Sequence, residues 1–159
     1  LTKLRGTAIL DIILPQLSYN FANSIKVQPT AKLPVPKNAC FNYFSQYIDP
    51  TMVEPGVINK DIVVFISAFD TLGTMKICNA DPTLSTLAVS SPCNVAKNHP
   101  PVIGFANICL NSLRVSQDNV VDQNSLLVLE DVLTHEFIHI YTMSLLFTHN
   151  IHYYSKSIT

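Results

Sequence analysis

The chain has 159 residues and a mass of 17.6 kDa, enough for one domain with a real hydrophobic core. Charged residues make up only 13% of the sequence and the mean hydropathy is positive, which argues against a disordered chain. The net charge of -1 comes from scattered residues and leaves no basic stripe, so nucleic acid is not an expected partner. The longest apolar stretch, residues 126–147, is interrupted by ionisable side chains, so no transmembrane segment is expected in this chain.

The first predicted element is an amphipathic helix over residues 8–24, where apolar residues recur at three- and four-residue spacing. Its apolar face would consist of Leu10, Ile13, Leu14, Leu17 and Phe21. Pro15 must start this helix or kink it, because proline lacks an N–H and clashes with the preceding turn. Residues 25–29 are a short strand candidate, and the prolines that follow predict a stiff loop over residues 30–38.

A β-branched apolar run at residues 61–69 predicts a strand that is buried on both faces. Two further strands are predicted at about residues 85–90 and 102–108. Gly104, within the last of these, indicates a bulge or a close backbone approach.

From Ser125 onward the pattern becomes helical, and Ser125 is a suitable N-cap. One apolar stripe is formed by Leu126, Leu129, Leu133, Phe137 and Ile140. A helix, then strands, then a long apolar helix, without repeats, predicts an α+β domain.

This last helix carries the sequence His-Glu-Phe-Ile-His, residues 135–139, which has the metal-binding pattern HExxH. His135 and His139 are about 40° apart around a helix, so both imidazoles can reach one zinc ion about 2 Å away. Glu136 is rotated by about 100°, where its carboxylate can act as general base on a zinc-activated water that attacks a peptide carbonyl. Chance placement would give this pattern in roughly 0.3% of chains with five His and three Glu, so chance is a poor explanation.

A third zinc ligand is not identified from the sequence. Leu145 occupies the position six residues after His139, where a compact site would have its third histidine. His149 or His152 could serve only if the chain reverses, because a continuous helix places His149 about 15 Å along the axis from His139. Otherwise both belong to an exposed tail, and His99, before two prolines, is expected in a loop.

The four cysteines form no C-x-x-C pair, so they are either disulfides or buried free thiols, and their even number favours disulfides.

Beyond the HExxH motif, the sequence resembles the leishmanolysin family of zinc metallopeptidases. The resemblance covers about residues 8–147 and includes, in the family's order, the stretches "ILPQL", "KVQP", "DIVVFISAF", the region of Cys93 and "HPPVIGFANIC". It implies a zincin- or metzincin-like N-terminal catalytic lobe with a twisted mixed sheet, an N-terminal helix and a long active-site helix. On this basis residues 1–159 are expected to form a single domain that lacks the family's second lobe.

The resemblance implies that His135 and His139 are the first two ligands of one Zn²⁺ and that Glu136 is the catalytic base. It implies that "PVIGFANIC" is the edge strand against which a peptide substrate pairs. The family's cysteine pattern implies the disulfides Cys40–Cys93 and Cys78–Cys109, hence an extracellular or cell-surface location reached through the secretory pathway.

Thr142 occupies the position of a family glycine that allows a sharp turn after the second histidine, and this favours a helix that simply runs on. Two functions therefore remain open. The chain is a zinc-dependent endopeptidase, or a fragment of one that needs further residues for activity, or it is a non-catalytic structural or interaction module without the third ligand. A two-histidine site completed by a partner protein is a further possibility. Because two ligands hold zinc poorly, catalysis by these residues alone is not expected.

Overall fold

The computed structural model of the chain describes residues 2–24, 32–33, 35–36, 40, 56–58, 62–72, 74–78, 86–93 and 103–146. The helices are α1 (Thr2–Ala8), α2 (Leu14–Ser24) and α3 (Gln123–Leu146), with a π turn at Ile9–Ile13 and a 3-10 turn at Leu110–Ser112. The strands are β1 (Lys32–Leu33), β2 (Val57–Ile58), β3 (Val63–Ser67), β4 (Thr71–Leu72), β5 (Met75–Lys76), β6 (Ala88–Pro92) and β7 (Ile103–Ile108). This is a mixed α+β fold, as the sequence predicts.

The N-terminal helical segment begins earlier than predicted and contains a π turn between α1 and α2. In this turn the N–H of Leu14 donates to the carbonyl of Ile9, five residues back. The wider turn places Ile9 in the core, whereas Leu10, predicted to be buried, is 63% exposed. Pro15 follows directly, at the start of α2, where its missing N–H and its ring are tolerated.

The central sheet of the described residues has three strands in the order β3-β7-β6. β3 runs parallel to β7, and β6 runs antiparallel to it, so the sheet is mixed. Phe105 on β7 lies opposite Phe65 of β3 and Ser91 of β6. Two short antiparallel ladders, β1-β2 and β4-β5, accompany the sheet.

Three expectations about the strands are wrong. The segment 102–108 is not the edge strand: β7 lies between two neighbours and all six of its residues are buried. The strand within 61–69 is instead at an edge of the described sheet, and its residues are only half-buried because one side has no neighbouring strand there. Within the proposed loop at 30–38, Lys32 and Leu33 pair with β2. The strand candidate at 25–29 lies outside the described residues.

The two faces of β7 support two separate hydrophobic clusters, because alternate side chains point to opposite sides of a strand. Ala106 and Ile108 belong to the cluster between the sheet, the N-terminal helical segment and α3. Ile103 and Phe105 belong to the cluster on the opposite face, together with Val35 and a disulfide.

Helix α3 buries the stripe that its sequence predicts. Leu126, Leu129, Leu133, Phe137 and Ile140 are all buried. The N-cap is Asp122 rather than Ser125: the Asp122 Oδ2 accepts the N–H of Ser125 at 2.9 Å, and the Ser125 hydroxyl donates back to the Asp122 carbonyl at 2.8 Å. Ser125 thus takes part in capping from inside the first turn.

The structure contains the disulfides Cys40–Cys93 and Cys78–Cys109, the same pairs that the family resemblance implies. All four cysteines are buried, each in a small hydrophobic cluster on or beside the sheet. The second bridge ties the segment after β5 to the end of β7, which anchors the central strand. In the described part of the chain, no helix combines the length and the apolar character needed to cross a membrane.

Candidate active site

The position of α3 depends on small residues in the central strand beneath it. A Cβ atom added to Gly104 would lie 2.4 Å from the Cγ2 of Ile140, so glycine is required for this close approach. The strand keeps regular pairing at Gly104 on both sides, which rules out a bulge at that residue and identifies the close approach as the reason for the glycine. Because Ile140 follows His139 directly, this contact fixes the height of the histidine-bearing turn above the sheet.

Helix α2 packs against the opposite flank of this turn through Phe21. The Phe21 ring is stacked on Tyr141, with centroids 5.3 Å apart, and is tilted against Phe137 at 5.5 Å. Such aromatic contacts add to the free energy gained by burial. These contacts oppose rotation of α3 about its own axis, in addition to fixing its distance from the sheet. In this orientation the histidines of α3 face solvent.

His135 and His139 lie together on the exposed surface of α3 with their Nε2 atoms 2.7 Å apart. The rings meet edge to face, at an interplanar angle of 82°. At this distance one Nε2 can donate a hydrogen bond to the other, which requires the two rings to be different tautomers. The helical spacing thus brings the two nitrogens to one point, as predicted.

This donor pair fits two positions of a zinc site. Zinc is commonly bound by imidazole nitrogens at about 2.0–2.1 Å, and a tetrahedral angle would then separate them by about 3.3 Å. Relative to the observed 2.7 Å, the Nε2 atoms of His135 and His139 would have to part by about 0.6 Å. Both side chains are exposed, so ring rotations can supply that movement.

The structure brings no third ligand to this pair within the residues it describes. No group of three or more His, Cys, Asp or Glu side chains suited to a metal occurs among them. His149 and His152, the sequence candidates, lie outside the described residues, as does His99. Helix α3 continues through Thr142 to Leu146, so the turn that the family's glycine would allow does not occur after the second histidine.

Glu136 points toward strand β6 and is half-buried. Its Oε2 lies 2.6 Å from the Oγ of Ser90, which donates to it, and its main-chain carbonyl oxygen lies 2.9 Å from the same hydroxyl. A serine hydroxyl has one hydrogen to donate. The carboxylate oxygen is the nearer of the two acceptors and the one that carries charge, so it is the acceptor that the hydroxyl favours. Glu136 is therefore held by a strand residue 46 positions away in sequence.

The outer side of β6 presents backbone groups near this glutamate. The N–H of Cys93 donates to the carbonyl of Ile103, and the N–H of Cys109 donates to the carbonyl of Leu87. In an antiparallel ladder, residues whose backbone groups point toward the partner strand alternate with residues whose groups point away from it. These two bonds therefore fix which residues of β6 point toward β7. The N–H and C=O groups of Ala88 and of Ser90 therefore point away from β7. No described strand pairs with this side of β6.

Sequence reasoning missed Ser90 and the role of β6. The stretch "LAVSS" predicts a strand, but nothing within it signals a partner on a helix that is distant in sequence. It also missed Asn107, which is completely buried on β7. The Asn107 Oδ1 accepts from Ser67 Oγ and from the Phe69 N–H, both at 2.8 Å, and its Nδ2 donates to the Phe69 carbonyl at 2.9 Å. These bonds fasten the end of β3 to the central strand.

No known protein family's model matches the chain, and no curated protein matches it significantly.

Proposed function

We propose that this chain is the histidine-bearing N-terminal lobe of a leishmanolysin-like zinc endopeptidase. The observation that carries the proposal is the convergence of the His135 and His139 Nε2 atoms on the exposed face of a helix whose other face is fixed in the core. The mixed sheet, the N-terminal helical segment and the long helix α3 are the elements that a zincin- or metzincin-like lobe requires, and they support this assignment.

In this proposal His135 and His139 bind one Zn²⁺ through Nε2, with a third ligand from outside the described residues. When bound, zinc supplies Lewis acidity that activates water and polarises the scissile carbonyl. Glu136 accepts a proton from the attacking water at its carboxylate and passes it to the leaving amine. Its half-buried position beside β6 keeps the carboxylate at the same edge of the sheet as the outward-pointing backbone.

A peptide substrate would pair with the outer side of β6, rather than with β7 as the sequence suggested. The outward N–H and C=O groups of Ala88 and Ser90 offer the hydrogen bonds of an additional strand. Pro92, at the end of the strand, has no N–H and limits the pairing at that end. The register of a bound peptide would therefore be centred on Ser90, close to Glu136.

The two disulfides support an oxidising environment for the folded chain, because such bridges form and persist in secreted and surface-exposed proteins. They support our proposal that the protein acts outside the cell or at its surface.

Zinc stoichiometry tests the proposal. After dialysis of the oxidised chain against a weak chelator, elemental analysis should find about one zinc per chain, and His139→Ala should lose it. Glu136→Gln is the matched control: it should retain zinc, since the histidines are unchanged, and it should abolish the peptide hydrolysis of a protein that includes the third ligand, since the base is lost. His149→Ala and His152→Ala, measured in parallel, show whether either histidine is the third ligand. Zinc near zero in the parent chain would refute a metal site completed within these residues, and zinc that survives in His139→Ala would refute a site at this histidine pair.

The alternative is a non-catalytic structural or interaction module, and two observations favour it. The His135 and His139 nitrogens are close enough to hydrogen-bond to each other without a metal, and α3 shows no turn at Thr142. This alternative expects Glu136→Gln to leave every activity of the protein unchanged. Loss of proteolysis in that variant would exclude it.

A further inference from the structure

We propose that Ser90 is a positioning residue for Glu136, which deepens the proposed function and rests on it. The Ser90 hydroxyl donates to the Glu136 Oε2 at 2.6 Å, a length typical of a hydroxyl bound to a charged oxygen. No other hydrogen bond of the Glu136 carboxylate is found among the described residues, so this contact alone sets its orientation there.

The location of Ser90 gives this contact a consequence for substrate binding. Its backbone N–H and C=O point to the side of β6 that no described strand covers, while its side chain reaches Glu136 on α3. One residue therefore connects the backbone that would pair with a peptide to the carboxylate that would act on it. A peptide aligned on Ser90 is thereby aligned with Glu136, which is the kind of preorganisation that lowers the barrier rather than strengthening binding.

The competing role for Ser90 is structural. Its hydroxyl is also 2.9 Å from the Glu136 main-chain carbonyl oxygen, and a donation to that oxygen would only attach α3 to β6. The two roles differ in which oxygen receives the single hydrogen, and therefore in whether the carboxyl carbon of Glu136 responds when the hydroxyl is removed.

A carbon-13 label in the glutamate carboxyl groups can distinguish them. The chain has three glutamates, Glu54, Glu130 and Glu136, so the spectrum is simple and Glu136→Gln assigns the signal of interest. Ser90→Ala should move the Glu136 signal, and Ser90→Thr, which keeps a hydroxyl, should restore it. Ser91→Ala is the matched control, because the Ser91 hydroxyl donates to the Pro92 carbonyl and its side chain lies on the other face of β6.

The kinetic consequence is measured on a zinc-loaded protein that includes the residues supplying the third ligand, with a peptide as substrate. Ser90→Ala should lower kcat about tenfold with KM changed less than about twofold, because one charge-assisted hydrogen bond to the base is lost and substrate contacts remain. Ser90→Thr should recover most of kcat, and Ser91→Ala should match the parent chain.

A Glu136 signal that stays in place in Ser90→Ala would overturn the proposal, as would a signal that moves while kcat is unchanged. If the zinc-loaded protein with its third ligand shows no hydrolysis that depends on Glu136, the proposed function fails, and the carboxyl signal alone then decides whether Ser90 holds the carboxylate.

Discussion

Replacing Gly104 by alanine should destabilise the protein through one contact with helix α3, which carries the histidine pair. The added Cβ would lie 2.4 Å from Ile140 Cγ2 and 3.1 Å from both Cγ1 and Cδ1 of the same side chain. The first distance is about 1 Å shorter than the 3.4 Å at which ordinary contact begins. Ile140 is completely buried, so it has little room to move without shifting α3.

The magnitude follows from the usual cost of forcing an extra methyl group into a packed core, about 1–3 kcal/mol. Alanine would otherwise be favoured over glycine in a strand by roughly 0.5–1 kcal/mol, so the observed loss is the clash minus that gain. A net loss of about 1 kcal/mol would lower the midpoint of thermal unfolding by about 2–4 °C in a chain of this size.

The test is a double-mutant cycle measured by urea unfolding. Ile140→Ala alone should cost about 2–5 kcal/mol because it leaves a cavity. In that background the atoms that clash are gone, so adding Gly104→Ala should cost nothing or slightly stabilise the chain. A coupling of at least about 1 kcal/mol is expected. If the two losses simply add, or if Gly104→Ala alone has the stability of the parent chain, then the sheet does not fix the height of α3 as argued.

Three further predictions concern the supports of the site. Replacing both Cys78 and Cys109 by serine should lower the free energy of unfolding by about 4 kcal/mol, because the bridge closes a loop with a sequence separation of 31. A loss below about 1 kcal/mol in urea unfolding would contradict this prediction. Asn107→Leu should cost about 2–4 kcal/mol, because it removes the three hydrogen bonds that this completely buried amide makes with Ser67 and Phe69. Ser67→Ala removes one of these bonds and should cost about 1 kcal/mol, and equal losses in thermal unfolding would count against this ordering. Asp122→Ala should lower the free energy of unfolding by about 1 kcal/mol, and Asp122→Asn should lower it much less, because asparagine can also accept the capping hydrogen bond. Unfolding followed by circular dichroism measures both losses, and equal losses would mean that Asp122 is not the N-cap.

The sequence by itself determined the elements whose signal is local. The stripe from Leu126 to Ile140 has a helical period, and that period is sufficient both to predict α3 and to identify its buried face. The convergence of His135 and His139 is likewise a consequence of helical spacing alone. Strands within 61–69 and 102–108 were predictable from their β-branched apolar composition.

Only the tertiary structure decided which strand is central and which is at the edge. An apolar strand looks the same in sequence at either position, because strand order depends on pairing between segments that are distant in the chain. For the same reason the family resemblance implied that residues 102–108 form an edge strand, whereas β7 is the central strand of the described sheet.

The tertiary structure also decided the partners of single side chains. Leu10 fits the apolar face of an ideal helix, but the π turn between α1 and α2 rotates it into solvent. Ser90 has no local pattern that marks it, and its contact with Glu136 exists because β6 and α3 pack together. The histidine pair can therefore be read from helical spacing, whereas the hydrogen bond from Ser90 to Glu136 depends on packing between elements far apart in sequence.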